Sequence, residues 1–155
     1  MYLAPMLFER ESALVEGFVD ALGVDDRWNA GYVCCEFNYY RGKTDVVALT
    51  RDGRIVAFEA KLTRWRQALH QAQRNRCFAH ETYVVLPRET AERAYRYRDE
   101  FSRRRVGLCY LENGRLIVLQ LAETNVPVEP WLTEQAGVFA KSSSQLGGRR
   151  PGDLA

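Results

Sequence analysis

No apolar run in the chain approaches the roughly 20 residues that a membrane-spanning helix needs. The segment from Met1 to Glu11 also lacks the basic start and unbroken apolar stretch of a secretory leader. A soluble cytoplasmic protein is the expectation. Histidine is scarce, with only His70 and His80, and the four cysteines (Cys34, Cys35, Cys77 and Cys109) show no CxxC spacing. That combination argues against a structural zinc site, and the cysteines read as reduced, mostly buried thiols. The glycines form no phosphate-cradling motif, no Ser-His-Asp or Cys-His pairing is supported, and no internal repeat is seen. What remains is a chain of 155 residues, 46% hydrophobic and 27% charged, the balance of one ordinary globular domain able to bury a core.

A net charge of +2 conceals an uneven distribution. Residues 1–59 carry 6 basic and 10 acidic groups, 60–106 carry 12 and 5, and 107–155 carry 4 and 5. Eleven of the twelve cations in the middle segment are arginines, whose planar fork suits phosphate, so a polyanionic partner is one reading and a solvated pair of helices with ordinary ion pairing the other.

Hydrophobic spacing predicts an amphipathic helix over Leu7 to Leu22, stopped by Gly23, with Glu11 sharing the stripe of Leu14 and Phe18. A carboxylate on an apolar face needs a partner, usually a cation or a metal; the alternative is that Glu11 only complements the helix dipole or sits at the rim. Three extended segments follow, near Tyr32–Phe37, Lys43–Thr50 and Arg54–Leu62. The last two are apolar at both parities, as in central strands covered on both faces. Yet Asp45 opens one, and Glu59 and Lys61 close the other, at positions where charge costs several kcal/mol unless paired or metal-bound. A two-residue turn at Asp52-Gly53 would send the two carboxylates to opposite faces. A three-residue loop, Arg51-Asp52-Gly53 with Gly53 left-handed, pairs Thr50 with Arg54 and Asp45 with Glu59. That register is predicted, because glycine occupies the position needing positive φ.

From Thr63, a fair N-cap, to about Ala79 the period turns helical, with Arg64, Gln67, Gln71 and Arg74 in a polar row beside the apolar stripe. A strand at Thr82–Leu86, one helix from Glu89 to Arg104, and two strands, Val106–Leu111 and Arg115–Leu121, joined at Asn113-Gly114, complete the pattern. One domain over residues 1–124 and an extension over 125–155 are expected. Trp131 and Phe139 could anchor one more segment, and the chain reads as disordered from about residue 141.

The acidic residue of the first helix, Asp45 in Gly42-Lys-Thr-Asp-Val-Val, and Glu59-Ala60-Lys61 occur in the order helix, three strands, helix, strand. This order and these residues resemble the PD-(D/E)XK nuclease superfamily, the restriction-endonuclease-like fold, over about residues 7–121. The small Holliday junction resolvase-type members are the most similar. Gln67-x-x-x-Gln71 is similar to the Gln-x-x-x-Tyr motif of RecB-like nucleases but lacks its tyrosine, and Thr44 stands where proline commonly precedes the aspartate. The fold class implied is α/β with an αβββαβ core, a central mixed sheet flanked by helices, and a C-terminal hairpin.

The activity implied is metal-dependent hydrolysis of phosphodiester bonds in nucleic acid, with DNA the expected substrate. The alternative is a catalytically inactive nucleic-acid-binding or scaffolding module of the same fold. Asp45 and Glu59 are the candidate ligands of Mg²⁺, for which Mn²⁺ would substitute, with Glu11 the third acid and Glu36 the runner-up. Lys61 would orient the attacking water and stabilise developing charge, and Gln71 would hold that water or a phosphate oxygen. Arg64, Gln67, Arg74, Arg41 and Lys43 are candidates for contacts to nucleic acid, which give salt-dependent affinity. Resemblance to the resolvases also implies a homodimer.

Overall fold

The computed structural model of the chain describes residues 8–145. Eleven elements follow in order: α1 (Glu11–Val24), β1 (Ala30–Tyr39), β2 (Gly42–Thr50), β3 (Ile55–Ala60), α2 (Trp65–Arg74), β4 (Glu81–Pro87), α3 (Arg88–Tyr95), α4 (Arg98–Arg104), β5 (Gly107–Glu112), β6 (Arg115–Gln120) and α5 (Pro130–Ser142). A single 3₁₀ turn, Asn75–Cys77, extends α2. The six strands form one sheet in sequence order. β1, β2 and β3 are antiparallel, β3, β4 and β5 run parallel, and β6 returns antiparallel to β5. The parallel pairs need crossovers, which α2 and the α3–α4 pair supply. This is a mixed α/β sheet with helices on both faces, the class expected.

Alternation along the strands sorts the core into two layers. Val56, Phe58 and Ala60 of β3 join Val46, Tyr83, Val85 and Cys109 under Leu14, Phe18 and Leu22 of α1. On the opposite face, Ile55 and Ala57 lie beneath Leu132, Ala136 and Ala140 of α5. Val84, Leu86 and Leu108 lie on that same face beneath α2, α3 and α4. Both central strands are therefore apolar at both parities because both their faces are covered.

The β2–β3 register pairs Val46 with Phe58, Val47 with Ala57, Ala48 with Val56 and Leu49 with Ile55. The Thr50 amide donates to Arg54 O at 2.9 Å, the Gly53 amide to Thr50 O at 3.0 Å, and Gly53 has φ +90°. This is the three-residue loop with left-handed glycine, and continuing its register sets Asp45 across from Glu59. Asn113 and Gly114, at φ 52° and 75°, turn the β5–β6 hairpin.

Several sequence expectations are corrected. α1 begins at Glu11 and runs through Gly23 to Val24, its last turn closed by the Asp25 amide on Ala21 O at 2.9 Å. Glycine permits a helix end without imposing one. Leu7, the expected start, lies outside the described residues. Glu11 occupies the first helical position with its side chain 47% exposed, at the rim of the stripe rather than within it. Thr63 does not cap α2, which starts at Trp65 without a side-chain cap and tightens into the 3₁₀ turn before Phe78.

The single helix expected over Glu89–Arg104 is two, broken at Arg96 and Tyr97. The Tyr97 amide closes a turn on Ala94 O at 2.8 Å, and its ring stacks on Trp65 at 5.5 Å, a long-range contact that periodicity does not reveal. α5 continues to Ser142, past the expected onset of disorder near 141. Beyond it, Gln145 N donates to Val33 O at 2.7 Å and the Ser144 hydroxyl accepts from Val33 N at 3.2 Å. The rest of the expected tail, residues 146–155, lies outside the described residues. Among the described residues no helix is long and apolar enough to cross a membrane.

Candidate active site

A local change of phase builds the site. Glu36 takes a left-handed φ of 59° in the middle of β1. Before it, Val33 and Cys35 face α1 and Cys34 faces α5; after it, Phe37 joins the α5 face. The facing of side chains changes phase there although the pairing with β2 runs on unbroken. The cross-strand partners follow, with Cys35 opposite Val46 and Phe37 opposite Thr44. Tyr39 and Thr44 are thereby turned toward the end of α2, beside Asp45 and Glu59.

Glu59 lies at the centre, 1% exposed. The Asn75 amide nitrogen donates to its Oε2 at 2.6 Å, and Arg74 Nη2 stands 3.9 Å from the same oxygen. Asn75, fully buried, accepts on Oδ1 from the hydroxyls of Tyr39 at 2.8 Å and Thr44 at 2.9 Å. Asn75 is thus itself held on its oxygen side, which fixes the donor that binds Glu59 Oε2 in a desolvated place. Burial first, and the like charge of Asp45 second, push the Glu59 carboxyl up to about 8, with Asn75 and Arg74 acting in the opposite direction. Asp45, half-buried, accepts from the Ala60 amide on Oδ2 at 2.8 Å. Lys61, with its side chain 18% exposed, is two residues beyond Glu59, and its Nζ is 3.5 Å from Glu11 Oε1.

Arg74 ties the edge of the site together. Its Nε donates to Tyr39 OH at 3.1 Å and its Nη2 to Lys43 O at 3.0 Å. The guanidinium crosses directly over Gly42, where a Cβ would fall 2.5 Å from Nη1, and Gly42 itself has φ +136°. Only glycine meets both demands.

Asp45, Glu59 and Arg74 meet at one end of β2, β3 and α2, while Lys61, two residues beyond Glu59, pairs with Glu11 of α1. Gln71 lies one helical turn before Asn75 on the same row, and its Oε1 is buried without a hydrogen-bond partner. Gln67 and Arg64 are exposed on the first turn of α2 and make no contact with the carboxylates. Arg41 is exposed in the β1–β2 turn, and Lys43 pairs on the surface with Glu36 at 3.2 Å. Glu36 is thus an edge charge, and Glu11 belongs to Lys61 instead of the carboxylate pair. Among the described residues no group of three or more His, Cys, Asp or Glu side chains gathers to hold a metal.

The donor set is two carboxylates and nearby main chain. It suits a hard divalent cation such as Mg²⁺, which takes oxygen ligands and leaves most of its positions to water and substrate. The repulsion that raises Glu59 is the kind a cation relieves. Sequence reasoning missed Asn75, for which the available signal was its place four residues after Gln71 on the polar row.

No protein-family model matches the chain, and no curated protein matches it. Among solved structures, a protein of unknown function from Silicibacter pomeroyi is similar at TM-score 0.62 and 15% identity, covering 86% of each chain. A repair endonuclease from Pyrococcus abyssi is similar at TM-score 0.46 and 17% identity, over 69% of this chain and 49% of that one. SfsA from Pyrococcus furiosus, in complex with Ca²⁺, gives TM-score 0.38 and 8% identity over 70% and 61%. The first likeness concerns the fold alone, a mixed α/β architecture.

Proposed function

We propose that the chain is a metal-dependent nuclease of the PD-(D/E)XK type, hydrolysing phosphodiester bonds in DNA. The observation that carries this reading is the opposition of Asp45 and Glu59 across β2 and β3, with Lys61 two residues further on. Three ionisable groups at the end of a covered sheet have no packing rationale of comparable weight.

In this reading Asp45 and Glu59 hold Mg²⁺, which when bound would acidify water and neutralise charge on the phosphate. Asn75 and the Ala60 amide keep the two carboxylates in place. The Lys61 ammonium donates a hydrogen bond to the attacking water and then to the phosphate oxygen on which charge grows. Glu11 restrains Lys61 without blocking it, because both side chains remain partly open to solvent. Gln71, with its unpartnered acceptor, takes a proton-bearing group of the water or substrate. Arg74 shields the substrate's negative charge from Glu59. The absence of a third acid among the described residues favours a second reading, a binding module of the same fold without cleavage.

One experiment separates the two. Wild type, Asp45→Asn and Lys61→Ala are incubated with duplex, single-stranded and branched DNA in Mg²⁺ or Mn²⁺. Cleavage by wild type, falling by roughly 100-fold or more in either variant, is expected. Equal products from all three proteins, or none from wild type on any substrate, would refute the nuclease reading.

A further inference from the structure

Beside the carboxylates, on the other side of Arg74, a cleft of about 420 Å³ opens between the β1–β2 turn, the end of α2 and the segment leading to α5. Arg41, Arg74 and Arg76 line it, with His70 and Tyr40, and its one acid is Glu129. That acid is already engaged, accepting the Tyr40 hydroxyl at 2.6 and 2.8 Å. Neither Arg41 nor Arg76 has a carboxylate within ion-pair distance among the described residues.

Arg76 is the informative member. It is half-buried, and its Nε is shut off from solvent with no hydrogen-bond partner. The guanidinium is nevertheless fixed from behind, because Nη2 donates to Asn125 Oδ1 at 3.1 Å while the Asn125 amide donates to Arg76 O at 2.8 Å. Burial first, then Arg105, disfavour the charge of this restrained guanidinium, and Glu123 offsets them only in part, so an anion accepting from its Nε would complete the set. Guanidinium forks suit phosphate oxygens. Arg74 joins this cleft to Glu59, so a chain of phosphates could pass from one to the other. The Tyr40 side, 65% exposed, offers a ring face for a base.

We propose that this cleft is a second phosphate site, in which Arg41 and Arg76 hold the backbone phosphodiester flanking the bond to be cut. The assignment rests on the nuclease reading for the word "flanking", but binding itself is independent of cleavage. It fixes the path of the substrate strand across the α2 end of the sheet and makes recognition there indifferent to base sequence.

The test is fluorescence anisotropy of a short labelled single-stranded oligodeoxynucleotide with wild type, Arg41→Gln, Arg76→Gln and the remote control Arg115→Gln. Salt is varied and EDTA is present, so that nothing is cut. Arg41→Gln is the decisive variant, since its side chain forms no bond within the protein and its loss should leave the fold intact. Both cleft variants should bind roughly 3- to 30-fold more weakly, and the slope of log affinity against log salt should fall by roughly 0.7–0.9 for each lost contact. Arg115→Gln should match wild type. Unchanged affinity and slope in Arg41→Gln, or an equal loss in Arg115→Gln, overturns the site. A protein that binds through the cleft yet never cuts DNA removes the nuclease reading alone.

Discussion

Glu59 is a carboxyl buried in the middle of the sheet, and the cost of its charge has a definite sign with pH. Its carboxyl titrates near 8 in the folded chain, above its ordinary value of 4.5, because burial and Asp45 disfavour the charged form. Between those two values the folded state holds a proton that the unfolded state has released. The metal-free protein therefore loses stability as pH rises through this window, and the loss is complete above about pH 8. Glu59→Gln, which keeps an acceptor for Asn75 without a charge, should melt higher than wild type at pH 9 in EDTA, by up to an effect on the order of 4 kcal/mol. The difference should shrink steadily toward pH 4.5 in melts across that range. A constant difference would show that the charge is not the cause. Asp45, Glu59 and Lys61 were legible as residues out of place in apolar strands, because charge at a covered strand end contradicts its surroundings. Asn75 and Thr44 were not, since a neutral polar side chain is at home on any surface and only its burial marks it.

At the scale of elements, the β1–β2 turn and the end of α2 are locked together through one side chain. Arg74 spans Tyr39, Lys43 and Glu59, and passes over Gly42. Gly42→Ala should displace the guanidinium and strain a φ of +136°, costing about 1–3 kcal/mol in urea unfolding. If the nuclease reading holds, it should also reduce cleavage. Retention of both stability and activity would mean that Arg74 is not held in place by the turn. The β2–β3 hairpin is the element whose register sequence reasoning reached correctly, because loop length and the glycine position together determine it. The α3–α4 break was out of reach, since it depends on Tyr97 meeting Trp65. So was the re-phasing of β1, because Glu36 is an unremarkable strand residue until its backbone adopts φ 59°.

For the whole molecule, the proposed cation site at the two carboxylates would couple cation binding to folding. A ligand that binds only the native state stabilises it in proportion to the logarithm of its concentration over its dissociation constant. Adding Mg²⁺ at pH 8 should raise the melting temperature of wild type by a few degrees and leave that of Asp45→Asn unmoved. Equal shifts in the two proteins would place the cation elsewhere.

What the sequence alone determined is the order of the strands, the covered character of the central ones and the identity of the charges that interrupt them. Periodicity reports which faces are buried, and an ionised group among apolar neighbours is conspicuous without any coordinates. Only the tertiary structure decided which of these charges meet. Glu11 went to Lys61 and left the carboxylates as a pair, the left-handed Glu36 turned Tyr39 and Thr44 inward, and Asn75 became the hub that holds Glu59. These choices depend on distances between segments far apart in sequence, and no local pattern encodes such distances.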